Sequence, residues 1–533
     1  MPSGARVASP HQVIALAYRR WGVRGLERLQ GEYAAVIVDG PTVIAGGDRM
    51  GLRPLFFHQR TGQVVVSTDL GVLAREVGAR SLDEDYLADL LVTGKHLGSR
   101  TPYAGIRRLG LGQVATWRPD GFHLSAGWRP SQEVEDGDFE QHKNRLVGAV
   151  DNAIRGALPK GDVAVHLSGG LDSSTLLASI PGGRRVHAIS SIFPEQPSCD
   201  ETEWIHEALS RTPAPWHPVD GSRYAPFSAG PVFDRYLAAP THAAITWAQD
   251  TVESAIARDV GASVILTGEG GDEVFLAGSL PWYLGDLMRS GDLRQAWAQA
   301  GRWSSQALAP RPVAYWLLRA GLKGWLNWRR RRELLLRPPE SVASTAPWLA
   351  ADYLAGIATA ERTRRQMPAR ARSVHQQGIL EGVLHAVETV RSSYPFSAHE
   401  VEMRHPYLSV QTVDRALATP WEVGVDPRVD RAVQRYAFSG RVGDATLRRR
   451  SKATSDLAIF RGLEQATEWI EMLTESPHIA GRGYVDVAEW RRSVDRATVG
   501  WLSSIHHFKV AVQVEVWLSQ RHRIGTPCLL PAT

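Results

Sequence analysis

Cysteine is scarce in this sequence of 533 residues, which contains only Cys199 and Cys528. The two lie far apart, without a CxxC pair or a Cys/His cluster, so the sequence supports neither a disulfide framework nor a structural zinc site. We expect both to be reduced thiols.

Long hydrophobic runs are also missing. The apolar run at residues 13–17 is too short for a signal-peptide core, and no later stretch reaches the roughly 18 apolar residues of a membrane span. With 43% hydrophobic and 22% charged residues, the composition is typical of a soluble globular protein, and the length predicts two or more domains. We therefore expect a cytoplasmic protein without a transmembrane segment.

Lysine is rare although the chain is basic. The formal net charge is +5, a mild excess that does not indicate nucleic-acid binding. A lysine inside a candidate site is therefore less expected by chance, because lysine occurs at only six positions: Lys95, Lys143, Lys160, Lys323, Lys452 and Lys509. The chain also lacks a GxxxxGK[ST] motif, which disfavours γ-phosphate transfer.

The first part of the chain reads as an antiparallel β meander. Residues 31–68 contain the short β-rich runs AAVIVDG, TVIAGG, RPLFFH and QVVVST, separated by glycine-containing turns. A further strand pair is predicted near residues 113–124. The acidic, polar stretch 131–141 marks the expected domain boundary.

Beyond this boundary, strand and helix patterns alternate. Strands are predicted at 163–167, 186–193 and 262–267, with helices at 173–180 and 203–210 between them. This alternation predicts an α/β domain with a doubly wound parallel sheet, followed by a large helical part from residue 374 onward.

The segment VAVHLSGGLDSS, residues 163–174, carries the strongest chemical signal. Its two glycines allow a tight turn, and the hydroxyls of Ser168, Ser173 and Ser174 lie beside the free N–H groups of a helix N-terminus, which predicts an anion cradle. Asp172 would repel phosphate unless a divalent cation lay between them, so the pattern predicts Mg²⁺. The alternative is a glycine turn with a serine N-cap and no ligand.

The segment SVILTGEGGDEVF, residues 263–275, is a second strand that runs into glycines and acids. Ligands of open α/β sheets bind at the carboxyl ends of strands, and Asp272 is therefore the candidate for a second Mg²⁺ ligand beside Asp172. The alternative is a loop of solvated acids.

The first of these segments is similar to the PP-loop of the ATP pyrophosphatase superfamily, and the pair of segments resembles the synthetase domain of the asparagine synthetase family. The resemblance implies Mg²⁺ held by Asp172 and Asp272. It implies ATP bound by Leu167, Ser168, Gly169, Gly170, Asp172, Ser173, Ser174 and Gly268.

Two later segments extend this resemblance. HEVEMRHPYL, residues 399–408, looks like the family's E-x-R-x-P-[FY]-L segment, with Ser409 where an aspartate is usual. Residues 429–454 resemble the stretch that ends in the family's R-x-K, here Arg450, Ser451 and Lys452. An ammonium at this point can neutralise charge on the α-phosphate or on departing pyrophosphate. The alternative for Lys452 is a solvated lysine in a basic run.

The first domain resembles the second half of a class II glutamine amidotransferase domain of the Ntn type. Its D-R-x-G-x-[RK]-P-L core is represented by Asp48, Arg49, Gly51, Arg53, Pro54 and Leu55. The family's nucleophile is an N-terminal cysteine, whereas Met1 is followed here by Pro2, so we expect no glutamine hydrolysis. The expected domains are a degenerate amidotransferase-like domain at 1–130 and an ATP-dependent amide-forming domain at 140–533.

The resemblance implies AMP-forming amide synthesis through an acyl-adenylate, with Lys452, Glu269 and Asp272 as catalytic residues. Glu269 is the candidate that orients or deprotonates the amine, and Glu402 is the alternative base, although Arg404 nearby also favours a structural ion pair. The identity of the attacking amine remains open. It is free ammonia in an asparagine synthetase and an amine of the same small molecule in a β-lactam synthetase; the third possibility is the N-terminus of a peptide. An inactive scaffold is the alternative from another class.

The absent nucleophile favours an amine carried by the substrate itself, which leaves the second and third possibilities. The long region after the cradle suits a large substrate better than a small one, so we expect the chain to be most like a lasso peptide macrolactam synthetase. Its expected partners are a ribosomal precursor or core peptide, a leader peptidase and a leader-binding protein. The tryptophan- and arginine-rich stretch 282–332 is a candidate surface for such a peptide, or else a packed helical layer. His506 and His507 point about 100° apart on a helix and are predicted to be structural.

Overall fold

The computed structural model describes the chain in the following ranges: 9–94, 98–130, 133–231, 237–277, 281–307, 309–330, 333–335, 342, 344–359, 364–366, 371–393, 401–450 and 456–523. The chain divides into two compact units. Unit one comprises Met1–Asp83 and Gly98–Arg129, and unit two comprises Glu84–Leu97 and Pro130–Thr533.

Unit one consists of two antiparallel sheets, with strand orders β1-β2-β6-β7 and β4-β3-β5. Its strands are β1 Ala34–Asp39, β2 Thr42–Gly47, β3 Phe56–Arg60, β4 Gln63–Ser67, β5 Ile106–Arg108, β6 Val114–Arg118 and β7 Gly121–Leu124. Its helices are Pro10–Trp21, Arg24–Arg28 and Leu70–Glu76. Leu55, Phe57 and Trp117 belong to the apolar core that the two sheets share.

The predicted antiparallel strands are confirmed, but they do not form one continuous meander. The β2 strand pairs with β6 and β3 pairs with β5, so the two predicted hairpins belong to different sheets. The predicted RPLFFH strand also begins late, at Phe56. The reason is a turn in which the Asp48 carboxylate accepts hydrogen bonds from the backbone N–H groups of Leu52 and Arg53, each at 3.0 Å.

Unit two contains the predicted parallel sheet, with the strand order β10-β9-β8-β11-β14. Its strands are β8 Val163–His166, β9 Val186–Ile192, β10 Trp216–Asp220, β11 Val264–Leu266 and β14 Glu402–Arg404. A separate antiparallel pair consists of β12 Glu333–Leu335 and β13 Arg364–Gln366.

The helices of unit two in its amino-terminal half are Glu84–Thr93, Phe139–Ala157, Leu171–Ala178, Thr202–Arg211, Ala243–Asp259, Gly271–Val274, Tyr283–Ser290, Leu293–Gln306, Val313–Trp316, a π-helix at Leu317–Leu322, and Lys323–Arg330. Further along they are Ala351–Thr359, Val374–Ser393, a 3-10 helix at Pro406–Leu408, Val410–Ala418, Trp421–Gly424, Ala432–Ala437, Asp444–Arg448, Asp456–Glu464, Thr467–Thr474, His478–Gly481, Val487–Thr498 and Ile505–Arg523.

The parallel sheet is covered on both faces. Ala164 and Ile189 pack toward the helix Ala243–Asp259, whereas Leu167 and Ala188 pack toward the helix Thr202–Arg211. Such burial explains why β8 is continuously apolar. Because β9 and β11 lie on opposite sides of β8, the strand order reverses there, and this switch point is where open α/β sheets bind their ligands.

The tryptophan-rich stretch is mostly a packed helical layer. Trp303 and Trp316 are buried in one cluster with Tyr283. Leu293 and Trp297, one turn apart on the helix Leu293–Gln306, are instead 62% and 63% exposed. Within the described ranges, no helix has both the length and the apolar character needed to cross a membrane.

Candidate active site

The segment 168–174 forms the predicted turn at the carboxyl end of β8. The Ser173 hydroxyl accepts a hydrogen bond from the Ser168 backbone N–H at 3.2 Å and donates one to the Gly170 carbonyl oxygen at 3.2 Å. Gly170 caps the helix Leu171–Ala178 without a side-chain hydrogen bond. Ser174 is 4% exposed, and its hydroxyl has no hydrogen-bond partner among the described residues. The turn therefore presents helix N–H groups and an unsatisfied hydroxyl, as an anion site requires.

Gly169 shows why the turn needs glycine. Its φ is +71°, and a Cβ there would lie 2.6 Å from the backbone and side chain of Trp204. A side chain would therefore be strained and would collide with the helix Thr202–Arg211.

The second predicted loop packs directly against the first. A Cβ on Gly268 would lie 3.2 Å from Cβ of Asp172, and one on Gly271 would lie 2.5 Å from the Asp172 carboxylate oxygen Oδ1. The helix Gly271–Val274 begins immediately after this loop and carries Asp272 in its first turn. The structure thus brings the two motifs, ninety-odd residues apart in sequence, to one edge of the sheet.

Asp172 and Asp272 are bridged by a residue that the sequence did not single out. Nη1 of Arg431 donates to Oδ2 of Asp172 and to Oδ1 of Asp272, each at 2.8 Å. The Arg431 side chain is only 11% exposed. Although burial opposes its charge, the two carboxylates keep the pKa of Arg431 raised.

Two further side chains from distant segments hold Asp172. Nε2 of the fully buried Gln434 donates to Oδ1 of Asp172 at 2.9 Å, and the Tyr407 hydroxyl donates to the Asp172 carbonyl oxygen at 2.9 Å. Burial raises the pKa of Tyr407 well above its ordinary value, so this hydroxyl remains a donor. Gln434 and Arg431 both lie in the stretch 429–454 that resembles the family, but nothing in its local sequence indicates that either residue contacts Asp172.

The segment 399–408, as far as it is described, supports the two loops. Leu408 packs so closely on Gly270 that a Cβ there would lie 2.4 Å from the leucine side chain. Glu402 forms a two-point ion pair with Arg404, at 3.0 Å and 2.9 Å. This pairing agrees with a structural role for Glu402. Ser409 caps the helix Val410–Ala418 by accepting a hydrogen bond from the Thr412 backbone N–H.

Glu269 and Glu273 lie beside the carboxylate pair. Glu269 is exposed, and its backbone N–H donates to the Thr267 hydroxyl at 3.4 Å. Burial, together with the charges of Glu269, Asp272 and Asp172, raises the pKa of Glu273 to about 7. The loop therefore brings several acidic side chains close together.

Lys452 lies outside the described residues, so its proposed role stays a prediction. The chain that leads to it is anchored near the cradle by Arg449. The Arg449 guanidinium stacks on Trp204 at 4.5 Å from the ring centre and forms an ion pair with Glu201. Trp204 is the residue that crowds Gly169.

The residues present are compatible with Mg²⁺ and a phosphate ligand. Mg²⁺ is usually held by one or two carboxylates together with phosphate oxygens and water, and Asp172 and Asp272 already share one cationic partner. The unpartnered Ser174 hydroxyl suits a phosphate oxygen. In the described part of the chain, no group of three or more His, Cys, Asp or Glu side chains is arranged around a metal position.

Together, the parallel sheet and the glycine-serine turn at its switch point define an α/β nucleotide-binding domain of the PP-loop type, joined to an antiparallel unit of the Ntn type. Comparison with known families is more specific. An asparagine synthase model matches residues 142–519, and a glutamine amidotransferase domain model matches residues 4–128. The chain therefore belongs to the asparagine synthase family, and this membership supports an ATP-dependent amide ligase.

The curated relatives are distant. The chain is 26% identical over 295 residues to the amidase chyE of Penicillium rubens, which covers 50% of this chain and 42% of that protein. It is 20% identical over 499 residues to the glutamine-hydrolyzing asparagine synthetase 3 of Bacillus subtilis, covering 87% of this chain and 74% of the relative. A third relative, the amidase chry2 of Gibberella zeae, is 25% identical over 39% of this chain and 33% of its own length. The chain thus spans less than half of either amidase.

Proposed function

We propose that this protein forms an amide bond by ATP-dependent activation of a carboxylate, with release of AMP and pyrophosphate, and that the bond closes a macrolactam in a ribosomal lasso peptide. The observation that supports the activation step most directly is the meeting of Asp172 and Asp272 at the mouth of the serine turn. In this proposal residues 1–130 are a degenerate amidotransferase-like domain, residues 140–533 perform the chemistry, and the protein acts in the cytoplasm.

The nucleotide would be held by residues 167–170, residues 172–174 and Gly268, with Asp172 and Asp272 as magnesium ligands. Bound magnesium would shield the charge of the phosphates at this turn. The chain's own residues would orient the reactants: Gln434 and Tyr407 fix Asp172, and the N–H groups at the start of the helix Leu171–Ala178 would face a bound anion. Lys452 would stabilise charge on the departing pyrophosphate, and exposed Glu269 would orient the amine.

An amine carried by the substrate is favoured over ammonia from glutamine. Glutamine hydrolysis by an amidotransferase domain of this type uses a thiol nucleophile, and the segment 4–128 that matches this domain contains no cysteine. In the described residues of unit two, Cys199 is buried at 6% exposure. The exposed pair Leu293 and Trp297 offers an apolar contact for a peptide on the synthetase-like unit.

An ammonia-dependent asparagine synthetase is the second candidate. It is favoured by the similarity to the Bacillus subtilis asparagine synthetase, which extends over 87% of this chain. A β-lactam synthetase is a third amide-forming candidate with the same adenylation chemistry.

Mass spectrometry of the purified protein with ATP, Mg²⁺, a core peptide encoded nearby and any protease partner tests the proposal. We expect a product lighter than the peptide by one water, together with AMP and pyrophosphate in equal amounts. Efficient conversion of aspartate and ammonium to asparagine, without loss of water from any such peptide, would replace the peptide function with the second candidate. Formation of ADP instead of AMP would exclude both.

A further inference from the structure

Arg431 occupies the space between the two carboxylates that we assign to magnesium. One nitrogen, Nη1, lies 2.8 Å from an oxygen of Asp172 and 2.8 Å from an oxygen of Asp272. Its Nε donates to a third carboxylate, that of Asp430, at 3.1 Å. The side chain is only 11% exposed, so its charge is balanced mainly by these carboxylates rather than by water. Arg431 is therefore a cationic partner that both carboxylates share.

The backbone of Arg431 is also unusual. Its φ of +54° and ψ of +46° lie in the left-handed region, which few residues other than glycine adopt. Arg431 immediately precedes the helix Ala432–Ala437, whose Gln434 holds the other oxygen of Asp172. Strained backbone of this kind persists where the surrounding structure enforces it, and it occurs often at functional sites.

This arrangement opposes magnesium at the same two oxygens. Mg²⁺ binds oxygen at about 2.1 Å, so an Nη1 that stayed 2.8 Å from the coordinated oxygens would lie at most about 4.9 Å from the ion. A guanidinium and a divalent cation would then repel each other across a largely buried site. The two cations therefore compete for this position.

We propose that Arg431 is an exchangeable counter-ion, which holds Asp172 and Asp272 together until Mg²⁺ and a nucleotide replace it. The inference rests on the proposed function only for the assignment of the metal ligands. A guanidinium that leaves two carboxylates needs another anion, and the phosphate oxygens of a nucleotide in the adjacent cradle provide one. Metal and nucleotide binding are consequently coupled: the metal alone binds weakly, and the two together bind well.

Titration with Mn²⁺ alone, followed by the EPR signal of the free ion, tests this coupling without any turnover. Arg431→Met removes the competing cation, and it is expected to bind Mn²⁺ without nucleotide at least about tenfold more tightly than the wild type, the scale of losing hydrogen bonds to charged groups. The matched control is Arg428→Met, three residues before Arg431, which removes a 64% exposed guanidinium that pairs with Asp426. This control is expected to bind Mn²⁺ as the wild type does.

Equal or weaker Mn²⁺ binding by Arg431→Met, with the circular dichroism spectrum unchanged, would overturn the proposal. If that variant does not fold, Arg431→Gln, a neutral residue that keeps N–H donors, takes its place with the same expectation. The wild type supplies an independent test, because, once the Mn²⁺ bound by ATP itself is subtracted with a protein-free titration, it must bind Mn²⁺ more weakly without ATP than with it; equal affinities would also overturn the proposal. None of these measurements depends on the peptide, so a failed macrolactam assay leaves them interpretable.

Discussion

Replacement of Asp250 by asparagine is expected to stabilise unit two at alkaline pH and to have little effect at acid pH. Asp250 lies on the helix Ala243–Asp259, where burial raises the pKa of its carboxyl from 3.8 to about 7. The Thr246 hydroxyl donates to it at 2.8 Å and lowers the pKa, and nearby Glu253 and His166 act in opposite directions. An asparagine can accept the same hydrogen bond without ionising.

The sign follows from proton binding in the two states. Between pH of about 4 and 7, the unfolded chain has released the Asp250 proton while the folded chain keeps it, so stability falls as the pH rises. One pKa unit corresponds to about 1.4 kcal/mol, and a shift of about three units sets an upper limit of about 4 kcal/mol above pH 7. The ion pair of His166 with Glu253, at 3.1 Å, is present in both proteins, so its contribution to stability cancels to a first approximation when the two are compared.

Denaturant midpoints of the two proteins, measured by circular dichroism at pH 5 and pH 8.5, check this expectation. The variant should have the higher midpoint at pH 8.5, by an amount that corresponds to between about 1 and 4 kcal/mol, and less than half of that advantage at pH 5, which lies near the start of the pH window in which the unfolded chain alone has lost the proton. Asp259→Asn, at the end of the same helix and 65% exposed, is the control and should show little change at either pH. A variant that is no more stable than the wild type at pH 8.5 would refute the reasoning.

Three further predictions concern the proposed reaction. Asp172→Asn and Asp272→Asn should each abolish activity with an unchanged circular dichroism spectrum, because each removes a charged magnesium ligand; wild-type turnover at limiting Mg²⁺ would contradict the metal assignment. Lys452→Ala should lower kcat by about 100-fold or more, and an effect confined to KM would mark a binding residue instead. The purified protein should release no glutamate from glutamine above a no-enzyme control, since residues 4–128 contain no cysteine nucleophile.

The parts of the fold that the sequence predicted are those with local causes. The apolar strand β8, the glycines after it and the following helix lie within one continuous segment, and all form close to the expected residues. The sheet partners in unit one were not predictable in this way. The pairing of β3 with β5 joins Phe57 to Arg107, a contact across many intervening residues that no local pattern specifies.

The same distinction applies to the candidate site. Asp172 and Asp272 stood out because each belongs to a glycine-rich segment after an apolar strand. Arg431 lies 259 residues from Asp172, in a chain where arginine is common, and its local sequence has no motif that indicates a carboxylate partner. The strand β14, which contains Glu402 and Arg404, was likewise missed, because three residues are too few to show an alternating pattern.

The positions of these missed residues bear on how variants of the site should be interpreted. Asp172 is held at Oδ1 by Gln434, at Oδ2 by Arg431 and at its carbonyl oxygen by Tyr407, so three side chains from after residue 400 set the orientation of a residue in the cradle. A substitution of any of these three side chains that lowers activity would therefore resemble the loss of a magnesium ligand, even though the substituted side chain need not contact the substrate. Metal affinity measured apart from turnover separates the two cases: loss of the ligand Asp172 weakens metal binding, whereas loss of the competitor Arg431 strengthens it.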